Sequence, residues 1–439
     1  MKIPQTILRI MNQIQENKQE VYLVGGCVRD LFLNQIPHDY DLCTNASIEE
    51  LQSIFSADSC ILTGIKHGTI TVHAEDVFVE ITIFKGKDIL TDLSFRDFTM
   101  NAMAMSSCGT ILDPFHGQGD IKNRTIRCVN HTKDRLCEDP LRMLRAIRFS
   151  CQFDFELDET LMECIQHNHE MLHRVSSERI REEFTKILMW DAFGLKKLYT
   201  CHLLQDIDES LSRMFDCKQE NKYHFTDVGM HTCYALDAFL TREDELNDFE
   251  KKTILFALLL HDVGKPDCKS RDAKGDHFYG HPKRSVEIAQ EFLEVYKFSN
   301  SEKKRILTLI EYHDTQFSKK KKTLRKILIK NKLSPDFMKS LFIVKRCDAL
   351  AHVHADVLVQ NVSDFEMYFC ENLNGLVYRM QDLAIDGNDI LQSTHLKNQS
   401  IQIALDACLD LVFYHPEKNT KDSLLHFVKK NERRFLYAG

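Results

Sequence analysis

Two rhythms divide the chain. Up to about residue 112, short β-prone runs predict strands at 21–24, 39–43, 69–73 and 77–84, with a shorter one at Thr110-Ile111-Leu112. Helical spacing separates them at 27–34, 47–56 and 97–106, and Ile3, Ile7, Ile10, Met11 and Ile14 give the N-terminus a helical stripe. From Asp139 onward Leu, Ile, Met and Phe recur at three and four nearly to the end. This pattern predicts an α+β protein, a small head with a mixed sheet followed by an all-α body. Polar stretches near 132–138, 206–212 and 351–356 are candidate boundaries. They give a head at 1–135, a helical neck at 136–205, a third region at 206–350 and a helical tail at 351–439.

Composition changes this picture little. At 439 residues, 43% hydrophobic and 28% charged, the chain reads as globular and long enough for more than one core. No apolar run approaches the ~20 residues that span a bilayer. The fifteen cysteines are scattered with no CxxC pair, which argues against a zinc ribbon or a disulfide framework and for reduced thiols in a cytoplasm. Charge matters more for its placement than for its total. The net charge of −8 speaks against nucleic acid, but 319–332 holds eight Lys/Arg and no acid. Arg142, Arg145, Arg148, Arg174, Arg179 and Arg181 form a second basic cluster. A polyanion responds to such local patches, because charges beyond roughly 8–10 Å are screened at cellular salt.

The chemistry starts in YLVGGCVRDLFLNQIPHDYDLCT, Tyr22 to Thr44. A strand, the pair Gly25-Gly26 and a helix opening at Cys27 bring backbone N–H groups close to a phosphate, since glycine has no Cβ to block approach. Asp39 and Asp41 then lie at i and i+2 of a strand and project to one face. Two like charges so placed repel unless a cation lies between them, and hard oxygen ligands suit Mg²⁺. An isolated DxD is usually a solvated strand end; the glycine pair and Arg29 just upstream reverse that reading. Glu80, inward-facing on 79–82, is a candidate third acid. Ser94 to Met103 carries Arg96-Asp97 at the first turn of the helix predicted there, and 113–120 reads as a turn-rich loop. Glu138-Asp139-Pro140-Leu141-Arg142 opens the first long helix, with Asp139 as N-cap and Pro140 at N1. Ser176 to Glu183 opens another. Further on, His261-Asp262-Val263-Gly264-Lys265 ends an apolar helix, and adjacent imidazole and carboxylate are a natural start for a metal site.

In this order, these motifs resemble the class II tRNA nucleotidyltransferase (CCA-adding) and bacterial poly(A) polymerase superfamily over about residues 20–190. The resemblance implies a polymerase-beta-like head in which Asp39 and Asp41 hold catalytic Mg²⁺. Gly25, Gly26 and Arg29 would then bind the triphosphate, and Arg96, Asp97 and Arg145 would belong to the nucleotide site, with Asp97 on the ribose. Asp139 and Arg142 would read the base. Cytosine and adenine each place an amino donor beside a ring-nitrogen acceptor, matching a carboxylate beside a guanidinium at i and i+3. Only eleven residues, 85–95, separate the last head strand from Arg96, where CCA-adding members carry a longer flexible loop. A short loop implies a CC-adding enzyme that uses CTP and leaves the final A to a separate A-adding enzyme; full CCA addition, with ATP as well, is the alternative.

Residues 223–350 resemble HD-type phosphohydrolases. That likeness implies one ion on His231, His261, Asp262 and Asp348, with His281 and His313 available to a second, the ions being divalent transition metals. His224 and His277 are assigned to surface or core. The expected partner is tRNA, gripped in part by 351–439 and the 319–332 run, with no membrane. Two other readings remain at this level: an HD phosphohydrolase whose head only binds RNA or nucleotide, and a non-catalytic RNA-binding protein.

Overall fold

The computed structural model describes residues 3–37, 39–55, 60–61, 68–74, 77–220, 226–242, 245–273 and 275–437. The chain separates into two compact units, Met1–Ser212 with Val295–Lys297, and Arg213–Glu294 with Phe298–Gly439.

In the first unit, α1 (Gln5–Glu16) buries the predicted stripe of Ile7, Ile10, Met11 and Ile14. Then follow β1 (Val21–Val24), α2 (Gly26–Phe32), β2 (Tyr40–Thr44), α3 (Ile48–Ile54), β3 (Cys60–Ile61), β4 (Thr69–Ala74), β5 (Val77–Ile83), α4 (Ile89–Ser94), β6 (Ala104–Met105) and β7 (Ile111–Leu112). The strands form one seven-stranded mixed sheet in the order β3-β4-β5-β2-β1-β6-β7. Only β2 and β5 run parallel, with Asp41 opposite Glu80; their neighbours pair antiparallel. Leu42 and Cys43 on β2 and Val79 and Ile81 on β5 are buried, so the strand centres anchor the sheet while acids sit towards one end.

The helix expected at 97–106 does not form. Phe98 instead makes an antiparallel bridge to Cys128. The Thr99 N–H donates to Arg127 O at 2.9 Å, and Val129 N–H donates to Asp97 O at 3.1 Å. One 3₁₀ turn, Thr99–Asn101, survives before Ala104 and Met105 join β1 as a strand. Every residue from Asp97 to Met105 is buried, the polar Asp97, Thr99 and Asn101 included, so no solvent-facing side exists to favour a surface helix. Distant strand partners override local spacing here. The intervening 85–95 segment, read as a loop, instead contains α4, capped by Asp88, which accepts from Thr91 N–H at 2.8 Å. The expected 113–120 loop likewise includes α5 (Gly117–Lys122), and the polar stretch 132–138 is itself helix α6 (Thr132–Glu138).

Beyond lie α7 (Leu141–Phe153), α8 (Glu159–Asn168) and α9 (Ser177–Trp190). Asp139 accepts from Leu141 N–H at 3.2 Å while Arg142 N–H reaches Asp139 O at 3.0 Å, so Asp139 acts as the N-cap of α7. Among the described residues the second unit is helical, with a hairpin at Ser270–Asp272 and Gly275–His277 and an isolated bridge between Lys218 and Asp227. Among the described residues no helix is long and apolar enough to cross a membrane.

Candidate functional site: an acidic cleft and a histidine–aspartate nest

The first unit holds a cleft of about 750 Å³, and every head residue singled out in the sequence lines it. Gly25, Gly26 and Arg29 come from the β1–α2 turn, Asp39 and Asp41 from β2 and the residue before it, and Glu80 from β5. Arg96 and Asp97 follow α4, while Asp139, Arg142 and Arg145 come from α7 and its cap. Gly25 has φ +76°, a conformation that L side chains avoid, and a Cβ there would lie 2.8 Å from Arg96 Nη1 and 3.9 Å from Asp41 Oδ2. The glycine is therefore what lets the turn, the guanidinium and the carboxylate meet.

Asp41 carries the electrostatic signature of a cation site. Burial first, then the carboxylate of Glu80, pushes its pKa above the usual range, with Arg96 opposing and Asp39 adding to the rise. Acids forced together in this way store repulsion that a hard divalent cation relieves, so Asp39, Asp41 and Glu80 fit Mg²⁺ by donor type.

Asp97 is buried and fully engaged. Its Oδ1 accepts from Phe98 N–H at 2.8 Å and Asn101 Nδ2 at 3.1 Å, and its Oδ2 accepts from Arg145 Nε at 2.9 Å. Burial would raise its pKa, but Arg145, Asn101 and the Phe98 N–H outweigh that and hold it below the usual carboxylate range. Asp139 is gripped by Arg179, at 2.8 Å from Nη2 to Oδ2 and 3.3 Å from Nη1 to Oδ1. Arg142, three residues along, turns instead to Glu138 Oε2 at 3.0 Å and to the carbonyls of Arg135 and Phe95. The two side chains thus share the cleft without bonding each other. Arg179 in this role, Asn101, and Asp92, which anchors Arg96 at 3.2 Å, were not singled out in the sequence.

The second unit gathers the other set. Asp348 Oδ1 lies 2.9 Å from His231 Nε2 and 3.5 Å from His261 Nε2. Asp262 Oδ2 lies 3.2 Å from His261 Nε2 and 3.6 Å from His231 Nε2. The other Asp262 oxygen faces His281 Nε2 at 3.2 Å and His313 Nε2 at 3.7 Å. Each ring's Nδ1 sits against a backbone carbonyl: Ala351 for His231, Leu258 for His261, Phe278 for His281 and Ile310 for His313. An Nδ1–H held in this way leaves the Nε2 lone pair aimed inward, as in metal-ligating histidines. His261 Nε2 and Asp262 Oδ2 are buried without a hydrogen bond. Lys265 Nζ is 2.6 Å from that same Asp262 oxygen, an ion pair whose angle falls outside hydrogen-bond geometry. Burial lowers the pKa of His261, but Asp262 and Asp348 more than reverse this and push it up to about 10. Four inward-facing imidazoles gathered around two carboxylates fit one or two divalent metal ions by donor type and spacing.

Lys265, the last residue of the His261–Lys265 string, carries no local mark of this ion pair with Asp262. Gly264 permits the packing: a Cβ there would lie 2.5 Å from Ser285 N. His277 pairs with Asp272 on the hairpin, and His224 lies outside the described residues. The basic 319–332 run is partly satisfied internally, through Lys319 with Asp364 and Arg325 with Asp410.

Comparison with known proteins gives this arrangement its class. Residues 21–127 match the Poly A polymerase head domain, 154–213 the probable RNA and SrmB-binding site of polymerase A, and 228–351 the HD domain. A nucleotidyltransferase head followed by an HD domain is thus the class the fold and site define. The CCA-adding enzyme of Streptococcus uberis is 36% identical over 286 residues, 57% of this chain and 70% of that protein. The CCA-adding enzyme of Lactobacillus delbrueckii subsp. bulgaricus is 43% identical over 196 residues, 41% of this chain and 49% of that protein. The chain belongs to the family of CCA-adding enzymes. It spans about half the length of the first curated relatives it matches. The Bacillus stearothermophilus CCA-adding enzyme in complex with CTP has the same fold, with a TM-score of 0.73 at 24% identity over all of both chains. The Thermotoga maritima CCA-adding enzyme complexed with tRNA aligns at 0.58 and 19% identity, covering 98% of this chain and 96% of that one.

Proposed function

We propose that the chain transfers cytidylate from CTP to the 3′ end of tRNA without a nucleic-acid template and stops after two C residues. The observation that carries this reading is one cleft containing both the Asp39, Asp41 and Glu80 acids at the glycine turn and the Asp139 and Arg142 pair. The tRNA 3′-hydroxyl gives up its proton to solvent as its oxygen bonds the α-phosphorus, the α–β anhydride breaks, and pyrophosphate leaves. Asp39 and Asp41, together with the triphosphate, would hold Mg²⁺, which when bound would polarise the nucleophile and neutralise charge on the leaving group. The chain's own residues bind and orient. Gly25 and Gly26 let the turn approach the triphosphate, Arg96 stands beside it, and Asp97 with Arg145 meets the ribose. Asp139 exchanges its Arg179 contact for the cytosine amino group, and Arg142 leaves Glu138 to donate to the ring nitrogen.

The limit of two additions rests on 85–95. Six of its eleven residues are α4, and Asp92 ties both ends of the segment by accepting from Lys85 N–H at 3.0 Å and from Arg96. Little slack is left to reshape the pocket for adenine. The relatives' name, CCA-adding enzyme, favours a second reading in which ATP is also used. For the nest around Asp262 we propose hydrolysis of a phosphoester. His231, His261, Asp262 and Asp348 would hold one ion, with His281 and His313 available to a second.

The test is to give purified protein a tRNA ending at its discriminator base with CTP, ATP, or both. Growth by two units with both nucleotides supports the proposal, by three supports the second reading, and a long A tract indicates a poly(A) polymerase. No growth removes transfer altogether.

A further inference from the structure

We propose that the substrate of the nest binds in a cavity beside Asp348, with Phe317 stacking on a flat ring of that substrate and Lys345 holding its phosphate. This rests on the reading that the nest hydrolyses a phosphoester. The nest is closed on nearly every side. The side chains of His231 and His261 are 0% exposed, Asp262 1%, His313 3% and His281 11%. Asp348, at 20%, is where it opens. A cavity of about 450 Å³ lies there, and His313, Asp348 and His352 all line it. His352 was not singled out in the sequence. Its Nδ1 sits 2.9 Å from Asp348 O, and its ring stands nearly perpendicular to that of His231 with centres 4.8 Å apart. A ligand seated in the cavity therefore reaches the nest directly.

The remaining walls are of two kinds. Lys345 stands three residues before Asp348 on the helix Pro335–Leu350, so both share the face that borders the cavity. Its Nζ donates to His313 O and, at 3.0 Å, to Thr315 O. An ammonium carries three protons, so two fix the charge in place and one is left for the cavity. The other wall is apolar. Leu358 and Val362 lie one turn apart on the helix Ala355–Leu373, and half-buried Phe317 stacks on Phe365 with ring centres 5.0 Å apart.

A fixed ammonium suits a phosphate dianion, and an aromatic ring among aliphatic side chains suits a flat ring. The volume is that of a small-ligand pocket, so the substrate is a small phosphomonoester with a planar group. In its hydrolysis the oxygen of water bonds the phosphorus and the ester P–O bond breaks. One water proton passes to the leaving oxygen and the other stays on the phosphate.

The experiment uses the full chain, with metal content and thermal unfolding measured for every sample. The readouts are kcat/KM for adenosine monophosphates, 4-nitrophenyl phosphate and glycerol phosphate, which has no ring, and binding of adenosine monophosphate by equilibrium dialysis. Phe317→Ala lowers the ratio of ring compounds to glycerol phosphate by at least about fivefold, the lower end of one base–aromatic stack. A merely structural defect would slow all of them alike. Phe317→Leu serves the same assay should the alanine variant unfold. Lys345→Met weakens every phosphate by about tenfold or more, the scale of one charge-assisted hydrogen bond, with metal retained. Folded, metal-retaining variants with wild-type affinity and ring preference overturn the proposal, as does a wild type that binds no ring compound. His261→Ala runs alongside: if hydrolysis survives it, the parent reading of the nest fails, and dialysis alone then judges the cavity.

Discussion

The cleft of the first unit and the nest of the second both concentrate donors for divalent cations, yet they are built on opposite plans. In the cleft, Asp39 and Glu80 are exposed acids and Asp41 is half-buried. No histidine completes the set among the cleft-lining residues, and burial, followed by the neighbouring acids, raises the Asp41 pKa. In the nest, four histidines and Asp262 are buried and every imidazole is fixed through its Nδ1. An open acidic site is completed by what it binds, as suits a triphosphate that brings its own oxygens to the ion. A closed site is preassembled, as suits an ion that stays. The lesson is that cation chemistry alone does not assign a role; the degree to which the protein has already satisfied the ligands does.

Four experiments break or sharpen this contrast. The largest effect is expected for Asp41→Ala. Loss of charge stabilisation worth several kcal/mol at the α-phosphate lowers the rate of C addition by about 10³-fold or more, read by single-turnover extension of tRNA. Next, Arg142→Ala loses about 1–3 kcal/mol of base discrimination, so the CTP-over-UTP ratio of kcat/KM falls by about 5- to 150-fold. Third comes Asp97→Asn, which removes the partner of Arg145 and costs about 2 kcal/mol at pH 7, measured by denaturant unfolding. The sign of its pH dependence follows from the depressed pKa. A carboxyl whose folded pKa lies below its unfolded value of about 3.9 contributes stability above that pH and loses it as pH falls through the folded value. The wild-type advantage therefore shrinks below about pH 4. Smallest is His261→Ala. It leaves C addition within about twofold, well inside one tenfold step of 1.36 kcal/mol, yet strips transition metal from the desalted protein by elemental analysis. Equal metal retention in wild type and variant would contradict the closed plan.

Much of both sites was legible because their chemistry is written locally. Asp39 and Asp41 stand two residues apart at the start of β2, Asp139 caps α7 three residues before Arg142, and His261 and Asp262 are adjacent. Other members come from afar and carry no local mark. Asn101 meets Arg29 across 72 positions and Arg179 meets Asp139 across 40. The helix expected at 97–106 failed for the same reason: bonds to 127–129 and to β1 decide that segment's backbone, and neither partner is visible in its own spacing. The helix α4 was missed although its signal was present, in the Asp88 cap and the i, i+4 pair Ile89 and Leu93.

The most direct measurement is incorporation of radiolabelled cytidylate from CTP into tRNA lacking its 3′ CCA end, by wild type, Asp39→Ala and Asp41→Ala, each checked for folding. Two cytidylates per tRNA in wild type and none in either folded variant is the predicted result. Undiminished incorporation in either one would contradict a strand-borne pair of acids as the seat of the reaction.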